Sequence, residues 1–267
     1  MADERILVFI PCYNCAPQIG RVLQQFKGEI ATRVEEVLVL DNGSRDSMID
    51  EAIRHAPQVE QARVTVARNR ENYNLGGSHK AAYAYAERAG FSHVVTLHGD
   101  DQGSIGDLLP VLRAGDHHRY DACMGARFAK GAKLHNYSPI RILGNRVFNT
   151  IFSIAAGQRI TDMGSGLNLL ARAAFADPGL QRLPDDLHFN PYLLLKMIGD
   201  RRDVHFFPIS WREDDQVSNV KMASQALQTL RAPMLYAFAR KRFRTSDFRK
   251  QPRGDYVFDI VQDFAAI

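Results

Sequence analysis

The chain has 267 residues, 45% of them hydrophobic and 24% charged, enough apolar material to bury one large core or two small ones. That composition excludes a disordered or collagen-like chain, and no run of about 18 apolar residues exists to span a bilayer. The formal net charge of +4 is uneven, because eight Lys/Arg and a single acid lie between Arg231 and Arg253 and the rest of the chain is net acidic.

Met1-Ala2-Asp3-Glu4-Arg5 leads straight into a strand pattern without the basic-then-apolar layout of a signal peptide. Arg5–Ile10 reads as the first strand. Ile19, Val22, Leu23 and Phe26 give helical spacing from about Ala16 to Ile30. Strands at Glu36–Leu40, Ala62–Ala67 and His93–Leu97 alternate with helices at Asp46–Ala56 and Gly77–Ala89. Such alternation predicts right-handed crossovers and a mostly parallel sheet. A strand at Ala122–Ala126 follows, then a loop at Lys130–Pro139 and an amphipathic helix at Ile142–Ala156. Strands are expected at Leu167–Leu170 and Val204–Ile209, with a helix at Leu187–Ile198 between them. Lys221–Phe243 reads as a long basic amphipathic helix, bent or broken near Pro233. Tyr256–Ile267 is apolar with acids and has no assignable element. Three cysteines, Cys12, Cys15 and Cys123, are an odd number and too few for a disulfide framework, which points to a reducing cytoplasm.

Ligands of parallel sheets bind beyond the carboxyl ends of the strands. Polar residues collect at those ends here: Pro11-Cys12-Tyr13-Asn14, Asp41-Asn42-Gly43-Ser44, Arg68-Asn69 and His98 to Gln102. Asp100 and Asp101 would repel each other without a compensating cation or basic group, and Mg²⁺ or Mn²⁺ bridging to a diphosphate suits such carboxylates. One of the two could instead cap the helix expected at Ser104–Leu112. Asp41 and Asn42 can hydrogen-bond a base or ribose, or simply form a turn before a helix. Asn72-Tyr73-Asn74-Leu75-Gly76-Gly77 is a glycine turn before a helix, and its amides could receive an anion. It carries neither the dinucleotide fingerprint nor the P-loop lysine.

In this order the motifs resemble glycosyltransferase family 2: Pro11-Cys12-Tyr13-Asn14, Asp41 to Asp46, Asn74-Leu75-Gly76, then Asp100-Asp101. Within it the chain is most similar to the polyprenyl-phosphate transferases of the dolichol-phosphate mannosyltransferase type. That likeness continues through Gly125-Ala126-Arg127, Arg141 with Asn145, Thr161 to Gly166 and Pro208 to Arg212, and ends near Met222. It implies an α/β GT-A fold with a mostly parallel central sheet, in a transferase domain over 1–222, leaving 223–267 as a basic amphipathic helical extension. The implied activity is inverting, metal-assisted sugar transfer from a nucleotide-sugar to a polyprenyl-phosphate acceptor. Pro11, Tyr13, Asn14, Asp41, Asn74, Gly76 and Asp100 would bind the donor. Asp100, Asp101 and Gln102 would hold Mg²⁺ or Mn²⁺. Asp100, Asp101 and Arg127 would be catalytic, and Arg127, Arg141, Arg212 and Lys221 would grip the acceptor phosphate.

One departure from the family pattern is His98, which stands where an aspartate is usual. It is a candidate Mn²⁺ ligand or a hydrogen-bonding residue. A dianionic phosphate attacks without proton removal, whereas a sugar hydroxyl needs a base. Asp185 or Asp186 could serve as that base, or cap the following helix. Ile142–Ala156 and the basic C-terminal stretch could lie against an anionic membrane from the cytoplasmic side, or pack on the core. A family 2 enzyme acting on a sugar hydroxyl is the same-class alternative. A nucleotidyltransferase and a basic nucleic-acid-binding module are alternatives from other classes, although no nucleic-acid partner is expected.

Overall fold

The computed structural model describes residues 4–214 and 222–266; Lys221 lies outside the described residues. Its first half alternates β1 (Ile6–Cys12), α1 (Ala16–Leu23), α2 (Glu29–Thr32), β2 (Glu36–Asp41), α3 (Met48–His55), β3 (Arg63–Asn69), α4 (Asn74–Ala89) and β4 (His93–Leu97). The second half holds α5 (Leu109–Ala114), α6 (Asp116–Arg119), β5 (Ala122–Ala126), β6 (Lys133–His135), α7 (Pro139–Ala156), β7 (Leu167–Ala171), α8 (Arg172–Phe175) and α9 (Phe189–Gly199). It closes with β8 (Val204–Pro208), β9 (Ser210–Arg212), α10 (Met222–Phe238), α11 (Arg240–Thr245) and β10 (Phe258–Phe264).

Eight strands form one sheet in the order β10-β3-β2-β1-β4-β7-β5-β8, and β6 with β9 form a small second sheet. β1 to β4 run parallel, as the alternation predicts, while β7 is antiparallel to both β4 and β5. The strands of the sheet's centre are apolar on both faces because helices cover both. Val8 and Ile10 join a core with Ile19, Val22 and Phe26 of the α1 side. Leu7 and Phe9, pointing the other way, join Ala82 of α4, Phe152 of α7 and Leu194 of α9.

This topology brings the chemistry to one edge. Cys12, Asp41, Asn69 and Leu97 end parallel strands side by side. Because β7 runs the opposite way, its first residue Leu167 sits beside Leu97. Loops 13–16, 42–47, 70–73, 98–104, 127–132 and 161–166 therefore share one edge.

Four elements differ from expectation. The loop expected at Lys130–Pro139 contains β6, which pairs with β9. The first helix stops at Leu23, and Gly28 turns the chain in the left-handed region, φ +59°. The basic C-terminal helix runs through Pro233 and breaks at Ala239, φ −141°. The unassigned tail is a strand: β10 pairs antiparallel with β3, and Arg63–Asp263 and Arg70–Asp259 ion pairs match its acids to basic residues of or beside β3. The extension thus ends as an edge strand of the main sheet.

Candidate active site

The donor flank is a stitched set of loops. The Asn14 amide donates to Ser44 Oγ, and the Arg45 amide donates to Asn14 Oδ1, joining the β1 and β2 loops. Asn14 holds φ +51°, a left-handed geometry that asparagine tolerates. Tyr13 is exposed beside it, and Pro11, the penultimate residue of β1, accepts the Gly99 amide with its carbonyl. Buried Asn42 accepts from Asn69 Nδ2 and from the Tyr73 amide, and donates to Asn72 Oδ1, which locks the third loop to the second.

Two donor-side expectations need correction. Asp41 is fully buried, and its oxygens accept from the Ser44 amide and, at 2.8 Å, from Arg68 Nε. It orients the turn and pins Arg68, whose half-exposed guanidinium is the group at the surface. Gly76 is not a ligand contact. A Cβ there would lie 2.4 Å from the Pro184 carbonyl oxygen, and the Gly76 and Gly77 amides both donate to the Asp185 carbonyl. Those amides are therefore unavailable to an anion. Exposed Asn74, at φ +57°, remains at the loop tip.

At the end of β4 the two aspartates part company. Asp100 is half-buried and caps its own turn, Oδ1 accepting the Gln102 amide. Asp101, also left-handed at φ +58°, turns its carboxylate inward, where it has no exposed surface. It accepts from Arg21 Nε at 2.7 Å, from Gln25 Nε2 and from Arg212 Nη2. Two arginines satisfy the charge that seemed to require a metal, so Asp101 is a structural anchor and not a metal ligand. Arg212 is held by Asp101 through both its carboxylate and its carbonyl. Its expected role as a phosphate contact is replaced by this tether.

His98 lies behind this corner. Its amide donates to the Gly166 carbonyl, and its ring lies over Gly166, where a Cβ would come within 2.9 Å of Cγ. Its Nε2 is buried without a hydrogen-bond partner among the described residues. Burial lowers the His98 pKa against the pull of Asp100, which leaves a neutral ring. Asp100, Gln102 and His98 stand together in the loop after β4; carboxylate and amide oxygens are donor types for Mg²⁺ or Mn²⁺, and an imidazole nitrogen suits Mn²⁺ better than Mg²⁺.

The acceptor flank centres on Arg127. Nε and Nη2 grip Asp162 at 2.8 Å each, Nη2 also donates to the Gly164 carbonyl, and Nη1 donates to Tyr137. Burial alone would lower its pKa, but the Asp162 carboxylate outweighs burial and raises it. Four of the five guanidinium donors are thereby committed. Arg127 holds the 161–164 loop, and only part of Nη1 is left for an acceptor, which corrects the expectation of a phosphate grip. Arg141 pairs with Glu213. After this loop α7 presents an apolar stripe to solvent: Ile140 is 78% exposed, Leu143 65%, Val147 50% and Ile154 78%. The helix α10 packs against α7 and adds exposed Met234 and Phe238.

The candidate bases are both occupied. Asp185 accepts from Lys80 Nζ and Tyr256 Oη, each at 2.6 Å, and this buried knot ties the tail to the site. Asp186 accepts from His188 and pairs with Lys250. Burial would raise its pKa, but those hydrogen bonds prevail and hold it well below the usual carboxylate range. His188 Nε2 is buried and unpartnered among the described residues. Sequence reasoning named neither Asp162 nor His188 as site residues. The Thr161 to Gly166 motif was the signal for the first, and nothing in the sequence distinguished the second.

Comparison with known proteins agrees with this architecture. The profile of Glycosyl transferase family 2 matches residues 7–177. Polyprenol monophosphomannose synthase of Mycolicibacterium smegmatis is 26% identical over 172 residues, covering 63% of this chain. The aligned region spans 62% of that relative's length. Among solved structures, glucosyl-3-phosphoglycerate synthase from Mycobacterium tuberculosis bound to UDP has a TM-score of 0.64 at 18% identity, covering 88% of this chain and 81% of that one. The same enzyme with Mn²⁺, UDP-glucose and glycerol 3-phosphate has a TM-score of 0.63 at 17% identity, with the same coverage of each chain. The fold is that of the GT-A glycosyltransferases. With the family matched over most of its length, the chain belongs to glycosyl transferase family 2.

Proposed function

We propose that the enzyme transfers a sugar from a nucleotide-sugar to a polyprenyl-phosphate-type acceptor with inversion. The acceptor's phosphate oxygen attacks the anomeric carbon as the bond to the nucleoside diphosphate breaks, and the diphosphate leaves with the electron pair. Pro11, Tyr13, Asn14 and Arg68 frame the nucleotide, with Asn74 at the facing loop tip. Asp100 and Gln102 would hold a divalent ion, with His98 Nε2 as a third donor. When bound, it offsets charge on the departing diphosphate. Arg127 fixes the acceptor loop and offers one side of Nη1.

The observation that carries the acceptor class is the state of the carboxylates. Asp185 is locked in a buried pair, and Asp186, with its depressed pKa, is a poor proton acceptor. A dianionic phosphate needs no such base. The exposed α7 stripe, flanked by exposed Arg146 and Arg159, suits a lipid at a membrane surface and supports reading the protein as a peripheral membrane enzyme. The relative named for polyprenol monophosphomannose synthesis points the same way. The test is a screen of UDP-, GDP- and dTDP-sugars with Mg²⁺ or Mn²⁺ and a polyprenyl phosphate. Metal-dependent appearance of label in lipid supports the reading, and turnover with hydroxyl acceptors alone overturns it.

One observation favours a second reading. Asp186 orients His188 as a carboxylate orients a general-base imidazole. A hydroxyl acceptor would use that ring, and His188→Ala would then abolish transfer with donor binding intact.

A further inference from the structure

We propose that Glu4, His117 and His118 form a binding site for a divalent transition-metal ion of the zinc type, at the sheet edge opposite the transferase site. Glu4 precedes β1, and the two histidines lie in α6 just before β5. One ligating atom from each residue falls within 4.8 Å of the others. His117 Nε2 pairs with Glu4 Oε1, and His118 Nε2 lies 3.5 Å from the same oxygen. Zinc bonds of about 2.0–2.1 Å place tetrahedral ligand atoms ~3.3 Å apart, close to the His118–Glu4 spacing, and the directly paired His117 and Glu4 would part slightly to admit the ion.

The chemistry of the cluster favours a cation over a simple ion pair. The two imidazole rings stand 3.9 Å apart between centroids. Two imidazolium charges at that spacing repel each other. A divalent ion satisfies both nitrogens and the carboxylate together. Two nitrogens and one oxygen suit a borderline ion such as Zn²⁺, and suit Mg²⁺ or Ca²⁺ poorly. Buried surroundings support the ligands: His117 is 2% exposed, and the His93 ring packs edge-on against both histidines. His93 Nε2 is 3.0 Å from the His117 carbonyl, and His93 Nδ1 is 2.9 Å from Ser92 Oγ. With three protein ligands, water completes the tetrahedron. The ion would staple the start of β1 to α6 across 113 positions of sequence.

The test uses the untagged full-length chain, stripped with chelator and titrated with Zn²⁺, and with Co²⁺ as a spectroscopic reporter. We expect stoichiometric uptake, visible Co²⁺ absorption of a nitrogen-ligated tetrahedral site, and a rise in Tm on adding Zn²⁺. Glu4→Gln and His118→Ala, both at exposed residues, should each weaken binding by roughly tenfold or more, at least the loss of an outer-sphere partner. Asp100→Asn should leave this uptake unchanged, and both Glu4→Gln and His118→Ala should retain transferase activity. Absence of stoichiometric Zn²⁺ uptake, or uptake insensitive to both substitutions, overturns the proposal.

Discussion

The two flanks of the transferase site are built from different materials. The donor flank is a lattice of short polar side chains, in which Asn14, Asn42, Asn69 and Asn72 tie three loops together. The acceptor flank hangs on a single buried pair, Arg127–Asp162, with Trp211 beneath the guanidinium at 5.2 Å and an apolar helix open to solvent beyond. A redundant lattice makes a rigid receptor for a polar nucleotide. One strong pair beside an exposed apolar helix would suit the amphipathic acceptor proposed above. Between the flanks lies Asp100, the half-buried acid after β4 whose Oδ1 accepts the Gln102 amide.

Substitutions should separate these regions. The largest effect belongs to the shared corner: Asp100→Ala should lower kcat/KM by roughly 10²–10³, with loss of Mn²⁺ binding by calorimetry and little change in Tm. Next is the acceptor pair. Arg127→Ala leaves the Asp162 carboxylate buried and unpaired, and should cost about 3–5 kcal/mol in urea unfolding. Gly76→Ala, which forces a methyl against the Pro184 carbonyl, should cost about 1–3 kcal/mol by the same measurement. A double change of the α7 stripe, Leu143→Glu with Ile154→Glu, should leave stability and turnover of a short-chain water-soluble acceptor intact. It should weaken co-sedimentation with anionic vesicles and raise KM for a long-chain acceptor. The smallest effect is on pH dependence. Because folding depresses the Asp186 pKa, its stabilisation is present above the ordinary value of 3.8 and is lost as pH falls below it. Asp186→Asn should therefore flatten the acid limb of the stability curve, read by denaturant unfolding between pH 5 and pH 2.

Much of the fold was legible because its signal is local. The runs at Glu36–Leu40 and His93–Leu97 are flanked by turns and strongly apolar, and they are strands nearly as read. β10 was not legible, since a strand whose acids face Arg63 and Arg70 makes sense only once β3 lies beside it. Pro233 sits within α10, and tertiary packing of Ala232 and Tyr236 into the core holds the helix through it. In the site, residue types and order located the corner but not the direction of each side chain. Adjacent Asp100 and Asp101 look equivalent in sequence. The left-handed turn at Asp101 sends its carboxylate to Arg21 and Arg212, residues far apart in the chain. Arg127 carried the opposite trap: a cation that looked available for phosphate is committed to an aspartate 35 residues away.

The central claim is that the acceptor's nucleophile is a phosphate oxygen. The most direct measurement compares a polyprenyl phosphate with the corresponding polyprenol, using the donor found in the screen and following label into the organic phase. The account predicts label only with the phosphate, in an acid-labile product whose anomeric configuration is inverted by NMR. Equal or greater transfer to the free alcohol would contradict it.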